Sequence, residues 1–216
     1  MNRNEIVWTI VVAAGSGLRF GRAKQFEVIG GKKIVDWAVE EASKHSAGVV
    51  VVLPAGQANQ PGQVEGGNTR SESVRRGLAA VPDEATVICV HDAARPFASP
   101  AIFQRVISAV VDGADAAVPG IAVVDTIKQI NESNVVVSTP RRETLRAVQT
   151  PQAFRAESLR RAHANAGEGT DDAALIEKIN GEVVIVEGEV VNRKITTRED
   201  LEWAVAHAHH LLEGEV

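Results

Sequence analysis

The chain has little cysteine, no excess of basic charge and no long apolar segment. Its single cysteine, Cys89, excludes an intrachain disulfide, and its place in the apolar run 86–90 predicts a core residue. The formal net charge of −5 argues against a general nucleic-acid-binding protein, which needs a basic face. No run approaches membrane-spanning length, and no signal-peptide stretch precedes the first strand-like segment. We therefore expect a cytoplasmic protein that binds neither membranes nor nucleic acids.

The composition that remains is that of an ordinary globular protein. Hydrophobic residues make up 44% of the 216 residues and charged residues 24%, which leaves enough apolar surface to form a core. No internal repeat or low-complexity tract is visible. Because this length fits one α/β domain, we expect residues 1–216 to form a single domain.

The N-terminal half alternates between strand-like and helical patterns. A nearly continuous β-branched run at 6–12 predicts a strand buried on both faces, and a glycine loop follows it. Apolar residues then recur at helical spacing from Ile34 to Ala42, before a valine-rich run at 49–53. This unit of strand, loop, helix and strand predicts two parallel strands.

The same alternation continues along the chain. Thr69, with Glu72 three residues later, predicts a capping box at the start of a helix. The pattern favours an α/β fold with a doubly wound, mostly parallel, Rossmann-like sheet, in which ligands bind at the carboxyl ends of the strands. Further strands are predicted at 87–90, 114–118 and 183–187, and further helices at 69–78, 100–111, from about 156, from about 170 and after 197.

Residues 121–147 break this alternation. Two short β-like runs, at 121–130 and 135–138, flank the turn-like segment 131–134. We interpret the region as a β-arm that projects from the sheet.

A glycine loop with nearby basic residues is the first candidate for chemistry. Gly15, Gly17 and Gly21 have the wrong spacing for the dinucleotide fingerprint, and the loop lacks the ending of a P-loop. The run from Arg22 to Lys24 places cations beside backbone amides that glycines leave uncovered, which suits a triphosphate. From this stretch alone, a turn followed by solvated basic residues is the alternative.

The segment 90–96 is the second candidate, because it follows a predicted buried strand. The carboxylate of Asp92 is a hard ligand of the kind that holds Mg²⁺ while the metal bridges nucleotide phosphates. Arg95 is suited to clamp an acceptor phosphate. An aspartate that caps the next turn and pairs with an arginine is an equally good local interpretation. We interpret His91 as a packing residue.

A polar glycine loop at 66–73 is the third candidate. Its backbone groups, together with the hydroxyl of Ser73, suit the donors and acceptors along a cytosine edge. Taken alone, the loop is equally well explained as a helix cap.

Other polar clusters are individually explained as solvated surface. They lie at 125–128, 141–142 and 192–196. His207, His209 and His210 do not all share one face of the last predicted helix, so we expect no metal site there.

In their order along the chain, these segments resemble the 2-C-methyl-D-erythritol 4-phosphate cytidylyltransferase family of the non-mevalonate isoprenoid pathway. The resemblance spans nearly the whole chain and depends on the ordered set of motifs. It implies a nucleotidyltransferase that moves CMP from CTP to methylerythritol phosphate, giving 4-diphosphocytidyl-2-C-methyl-D-erythritol and pyrophosphate. The matching stretches are 13–17 with Arg19, Lys24 and Gln25, Gly66 and Gly67 with Arg70, Ser73 and Val74, 91–96, Asp125 and Thr126, 149–152, 170–172 and 194–196.

The resemblance also implies roles for individual residues. Asp92 would hold Mg²⁺, the implied cofactor, and Lys194 would approach the α-phosphate. The implied catalytic, phosphate-handling residues are Arg19, Lys24 and Lys194. The implied nucleotide-binding positions are Ala13, Ala14, Gly15, Ser16, Gly17, Gly67, Asn68 and Ser73. The implied acceptor-binding residues are Arg95, Thr126, Arg142 and Thr170.

Family members look like homodimers with interlocked arms, so Thr126 and Arg142 would reach the acceptor from the second subunit. Arg141 is the alternative to Arg142, because the two arginines are adjacent. The chain ends soon after its last motif, so we expect no fused cyclodiphosphate synthase domain.

The implied reaction needs no covalent nucleophile, because the attacking oxygen belongs to an acceptor phosphate that is already ionised. Placement and charge neutralisation are then the enzyme's contribution. The nearest alternative is a cytidylyltransferase for ribitol 5-phosphate, which shares the nucleotide motifs. A regulatory module that lost catalysis and a nicotinamide dehydrogenase are less favoured, the first by the retained charged residues and the second by the glycine spacing.

Overall fold

The computed structural model describes residues 5–15, 23–164 and 167–214. Its helices are α1 (Ile34–Ser43), α2 (Arg70–Ala79), α3 (Pro100–Val111), α4 (Ala156–Ala164), α5 (Ala173–Lys178) and α6 (Arg198–Glu213). Its strands are β1 (Val7–Val12), β2 (Val28–Ile29), β3 (Lys32–Lys33), β4 (Gly48–Leu53), β5 (Gln63–Glu65), β6 (Val87–Asp92), β7 (Ala116–Ala122), β8 (Gln129–Ile130), β9 (Val136–Ser138), β10 (Arg146–Val148), β11 (Gln152–Arg155) and β12 (Val183–Glu187).

Eight of these strands form one central sheet. Along its main path the order is β10, β7, β11, β6, β1, β4 and β5, and β12 also pairs with β7. The pairs β1 with β4, β1 with β6, β4 with β5 and β7 with β12 are parallel. The predicted doubly wound, mostly parallel α/β sheet is therefore confirmed.

Helices cover both faces of the sheet because successive side chains of a strand point to opposite sides. Ile10 packs with the core that includes Val74 of α2 and Leu159 of α4. Val11, one residue later, packs with Phe103 of α3 in the core on the other face. Full burial of each such side chain contributes about 1.5–3 kcal/mol, so the nearly continuous apolar run of β1 stabilises both layers at once.

Cys89 lies in this second core, as predicted. The side chain is 0% exposed, and burial raises the pKa of its thiol to about 12. The residue therefore remains a neutral packing group at physiological pH.

A third core holds the C-terminal helix against strand β2 and the loops that contain Phe97 and Ile195. Ala204 and Ala208 of α6 pack with Ile29, Phe97 and Ile195. Thr197 and the carboxylate of Asp200 form a capping box that starts α6. The helix therefore anchors the segment that contains Lys194. Within the described part of the chain, no helix is long and apolar enough to cross a membrane.

The sequence patterns missed strand β11, which is antiparallel to both β6 and β7. Its residues, Gln152 to Arg155, include no β-branched side chain and show no simple alternation. The patterns also missed strand β5 and the hairpin formed by β2 and β3.

The predicted β-arm contains a separate hairpin. Strands β8 and β9 pair with each other and with no strand of the central sheet. Asn131 closes the turn, because its Oδ1 accepts hydrogen bonds from the backbone of Ser133 and Val135. The predicted strand at 121–130 is wrong in its middle, since only 121–122 and 129–130 are extended strand.

Candidate active site

A cavity of about 550 Å³ lies at the carboxyl ends of β1 and β6. Parallel sheets bind ligands at this edge, because the strand ends and the following loops converge there. Six predicted nucleotide-binding residues line it: Ala13, Ala14, Gly15, Gly67, Asn68 and Ser73. Three predicted charged residues join them: Lys24, Asp92 and Lys194. The predicted Ser16, Gly17 and Arg19 lie outside the described residues.

The loop before α2 approaches the end of β1 so closely that it requires glycine. A Cβ on Gly66 would lie 2.2 Å from Cβ of Ala14, and a Cβ on Gly67 would lie 2.1 Å from Cδ of Glu72. Real Cβ atoms do not approach other carbon atoms this closely, so a side chain at Gly66 must displace the loop, and one at Gly67 must displace the side chain of Glu72. The amide of Gly66 donates to the carbonyl of Leu53 at 2.8 Å, which further holds the loop against the sheet.

Ser73 holds this loop in place. Its hydroxyl accepts a hydrogen bond from the amide of Gly67 at 3.1 Å and donates to the carbonyl of Thr69 at 2.9 Å. The hydroxyl proton is therefore already used within the protein. What Ser73 can offer a base in this arrangement is its remaining acceptor lone pair.

The predicted capping box at α2 forms with one changed partner. Oγ1 of Thr69 accepts from the amide of Glu72 at 3.0 Å, as predicted. The carboxylate of Glu72, however, accepts from the amide of Asn68 at 2.7 Å and not from that of Thr69. This hydrogen bond to Glu72 fixes the backbone of Asn68, which is one of the predicted nucleotide-binding positions.

Asp92 ends β6 and is held by two cations. Its Oδ2 lies 2.5 Å from Nζ of Lys194, and its Oδ1 lies 3.3 Å from Nη2 of Arg70. Burial alone would raise the pKa of Asp92, but the charges of Arg70 and Lys194 outweigh burial and hold it well below its ordinary value. Asp92 is therefore ionised at neutral pH. Sequence reasoning assigned no role to Arg70.

Lys24 is tied to the backbone beside Lys194, the second predicted catalytic lysine at the cavity. Nζ of Lys24 donates to the carbonyl of Ile195 at 2.5 Å. The amide of Ile195 in turn donates to the carbonyl of Ala94 at 2.8 Å. Lys24 therefore contacts the residue that follows Lys194, although 171 positions separate it from Ile195.

His91 is a packing residue, as predicted, and its contacts help to hold the segment from Asp92 to Arg95. It is 0% exposed, and burial lowers its pKa to about 4, so the ring is neutral at pH 7. Oγ1 of Thr150 accepts from the amide of Asp92 at 2.9 Å and lies 3.0 Å from Nδ1 of His91. Nε2 lies 3.1 Å from the carbonyl of Arg95. These contacts require the ring proton on Nε2, so that Thr150 donates and His91 accepts.

The residues predicted to bind the acceptor do not line the cavity within the described part of the chain. The guanidinium of Arg95 donates to the carbonyls of Asn192 at 2.7 Å and of Val148 at 3.3 Å. That of Arg142 donates within the arm to the carbonyl of Val124 at 2.9 Å. Thr126 and Thr170 are exposed. The arm, which carries two of the four, follows the carboxyl end of β7, at the same edge of the sheet as the carboxyl ends of β1 and β6.

The donor set at Asp92 fits a divalent cation that shares its coordination with phosphate. Mg²⁺ is usually held by one or two carboxylates and completes its shell with phosphate oxygens and water. Asp92 provides one ionised carboxylate at the cavity, and the described residues contain no cluster of three or more His, Cys, Asp or Glu side chains suited to a metal. The residues present therefore fit Mg²⁺ bound together with a nucleotide.

Comparison with known proteins identifies relatives of the same length and longer ones. A family model described as IspD: 2-C-methyl-D-erythritol 4-phosphate cytidylyltransferase matches residues 7–210. A protein from Rhodococcus jostii with that enzyme name is 43% identical over 93% of this chain and 94% of its own length. A bifunctional enzyme IspD/IspF from Nitrobacter winogradskyi is 44% identical over 88% of this chain and 53% of its own length. The chain thus spans about half the length of such bifunctional relatives.

Solved structures show the same fold. The 2-C-methyl-D-erythritol 4-phosphate cytidylyltransferase from Thermus thermophilus has 37% identity and a TM-score of 0.80, covering 95% of this chain and 99% of its own. The 4-diphosphocytidyl-2C-methyl-D-erythritol synthase from Anaerococcus prevotii has 29% identity and a TM-score of 0.83 over the same shares.

Proposed function

Because the chain belongs to the 2-C-methyl-D-erythritol 4-phosphate cytidylyltransferase family, we propose that it transfers CMP from CTP to 2-C-methyl-D-erythritol 4-phosphate and releases pyrophosphate. The observation that carries this proposal is the group formed by Lys24, Lys194 and Asp92 at one cavity with the glycine loop. Two cations and one carboxylate, beside a glycine loop, suit a nucleoside triphosphate with a divalent cation.

Different residues of the cavity would bind the base and the phosphates of the nucleotide. The backbone of Gly67 and Asn68, with the acceptor lone pair of Ser73, would read the cytosine edge. Gly15, together with Ser16, Gly17 and Arg19 that follow it in the sequence, would surround the phosphates. Backbone amides at such a loop bind phosphate oxygens without any side chain.

The reaction is an in-line displacement at the α-phosphorus. A phosphate oxygen of the acceptor forms the new bond, the bond from the α-phosphorus to the bridging oxygen breaks, and pyrophosphate leaves with the electron pair. Lys24 and Lys194 would neutralise the charge that builds on the α-phosphate, and Arg19 would support the leaving group. Mg²⁺ held by Asp92 would supply further charge neutralisation and orient the phosphates. No general base is required, because the attacking oxygen is already ionised.

The acceptor site would be completed by a second copy of the chain. The arm is rich in exposed valines: Val124, Val135, Val136 and Val137 are 52–78% exposed. Exposed apolar clusters of this kind mark interaction surfaces, which supports a homodimer formed through the arm. Thr126 and Arg142 would then reach the partner's cavity, where Arg95 and Thr170 would provide the remaining contacts after Arg95 leaves its present backbone partners.

The remaining predictions extend this proposal. We propose a single domain located in the cytoplasm, without attachment to membranes or nucleic acid. The net charge of −5 supports the last point.

Pyrophosphate release tests the activity directly. The protein would be incubated with CTP and Mg²⁺, and methylerythritol phosphate and ribitol 5-phosphate would be offered in separate reactions. Clear preference for methylerythritol phosphate is expected, because the named relatives share that acceptor. Preference for ribitol 5-phosphate would instead identify a ribitol 5-phosphate cytidylyltransferase. Absence of pyrophosphate release with both acceptors would contradict a transferase.

A further inference from the structure

A chain of charged side chains runs from the cavity into the protein. Arg70 donates from Nε and Nη2 to Oδ1 of Asp92, over 3.4 and 3.3 Å. Its Nη1 donates to Oδ2 of Asp172 over 2.7 Å. One guanidinium therefore bridges an aspartate at the cavity and a second aspartate behind it.

The second aspartate is fixed from two sides. Asp172 is 0% exposed, and its Oδ1 lies 3.0 Å from Nε2 of His163, which is itself 3% exposed. A buried carboxylate needs such partners, because an unpaired buried charge is strongly unfavourable. Asp172 is therefore a rigid anchor for Arg70.

The two halves of the bridge differ in strength. The contact of Arg70 with Asp172 has the length of a strong charge-assisted hydrogen bond, whereas both contacts with Asp92 are longer than that range. Asp172 therefore draws the guanidinium away from the cavity. Asp92 therefore shares the guanidinium of Arg70 with Asp172, which holds it at the shorter distance.

We propose that Arg70 and Asp172 are positioning residues that set how strongly Asp92 holds a divalent cation. This inference rests on the proposed function. The positive charge of Arg70 beside Oδ1 opposes a cation at Asp92, and Asp172 limits that opposition by holding Arg70 back. Oδ2, which now contacts Lys194, is the oxygen that remains for exchange between the lysine and the metal.

The proposal predicts opposite effects for the two positions. Asp172→Asn removes the competing charge at nearly constant shape, so Arg70 moves onto Asp92 and the metal binds more weakly. Arg70→Met removes the opposing charge, so the metal binds more strongly. A merely structural role would weaken metal binding in both variants, because each would disturb the same loop.

Metal binding can be measured without turnover. Isothermal titration calorimetry gives the dissociation constant of CTP with saturating Mg²⁺ and again with EDTA, with no acceptor present. The factor by which Mg²⁺ tightens CTP binding reports what the metal adds, even where Arg70→Met also weakens CTP itself. Relative to the unmodified protein, we expect this factor to fall by about fivefold or more in Asp172→Asn and to rise by a similar amount in Arg70→Met.

A double variant tests whether Asp172 acts through Arg70. In Arg70→Met with Asp172→Asn, the Mg²⁺ factor is expected to match that of Arg70→Met alone, since the charge that Asp172 restrains is absent. Arg160→Met is the matched control: its side chain is 29% exposed, against 26% for Arg70, and it donates to the carbonyl of Pro82, which does not line the cavity. Its Mg²⁺ factor should be unchanged.

Several results would overturn the inference. A fall of the Mg²⁺ factor in both single variants, no change in either, or a factor of one in the unmodified protein would each contradict it. If Asp172→Asn shows no cooperative thermal unfolding, Arg70→Met decides alone, and an unchanged or lower factor contradicts the proposal. The proposed function fails separately, when the unmodified protein binds CTP and Mg²⁺ and releases no pyrophosphate with an acceptor.

Discussion

The ammonium group of Lys194 lies 2.5 Å from Oδ2 of Asp92. In the proposed reaction these two groups have different partners, since Lys194 serves the α-phosphate and Asp92 serves Mg²⁺. The proposed reaction therefore implies that substrate binding opens this ion pair. Without the nucleotide, the pair holds both side chains at the cavity.

Lys194→Met should impair turnover far more than nucleotide binding. The lysine's contact strengthens as charge develops at the α-phosphate, so we expect kcat to fall by about 100-fold or more. The dissociation constant of CTP should change only a few-fold. Steady-state kinetics and calorimetry check this, with Lys44→Met, just after α1 and 56% exposed, as the control. Equal losses in kcat and CTP affinity would mean that Lys194 binds the ground state as well as the transition state.

Lys24→Ala is expected to show the same kinetic signature. Its Nζ already lies 2.5 Å from the carbonyl of Ile195, so the loss also loosens the segment beside Lys194. We expect kcat to fall by about 100-fold or more with a small change in CTP affinity. The combination with Lys194→Met should lose less than the product of the single losses, because the two groups act on one phosphate. Fully multiplicative losses would contradict a shared role.

Local sequence patterns predicted most of the helices and strands, because the residues of each such element carry the signal themselves. The continuous apolar run of β1 contains both Ile10 and Val11, which pack on opposite faces, so burial on both sides could be inferred from sequence alone. Strand β11 could not be inferred, because its position between β6 and β7 depends on pairing partners that its own four residues do not encode.

The site was predictable mainly from the ordered set of motifs, since local patterns alone explain the segment around Lys194 as solvated surface. Lys24, Asp92 and Lys194 were expected at one cavity and lie there. The bridge from Arg70 to Asp172 was not expected, because 102 positions separate the two residues and neither has a local pattern that indicates the other. Such contacts are determined by the packing of α2 against the segment before α5.

Arg142→Ala should raise the KM for the acceptor while CTP affinity stays nearly unchanged. Arg142 lies on the arm, outside the cavity lining, so its removal cannot disturb the nucleotide contacts directly. We expect a rise of about tenfold or more, the effect of a lost charge-assisted contact to phosphate. Arg141→Ala is the matched control at the adjacent position. If Arg141→Ala raises the KM instead, the acceptor contact is shifted by one residue.

Association through the arm should depend on one face of β9. Val136 and Val137 are 52% and 55% exposed, and adjacent strand residues point to opposite faces. We therefore expect Asp at one of these two positions to weaken the dimer by about tenfold or more, with little effect at the other. Sedimentation velocity measures this, and Val205→Asp on α6 is the control. A chain that is monomeric at micromolar concentration without substitution would contradict the dimer.

Asp200 should make the stability of the protein depend on acid pH. Burial alone would raise its pKa, but hydrogen bonds from Thr196 and Thr197 outweigh burial and lower the pKa to about 2, from an ordinary value of 3.8. A carboxylate with a lowered folded pKa stabilises the protein above its unfolded pKa, and this contribution is lost as the pH falls from about 4 towards 2.

Asp200→Asn is accordingly expected to lower the free energy of unfolding at pH 7 by about 1 kcal/mol, the usual contribution of a helix cap. It should also flatten the dependence of stability on pH below about 4, where the unmodified protein loses the contribution of Asp200. Urea unfolding at pH 7, 4 and 3 measures both effects. Asp83→Asn is the control, because that side chain is fully exposed. An equally steep acid dependence in Asp200→Asn would show that other carboxylates cause it, and the capping box would then stabilise α6 without acting as its acid-sensitive element.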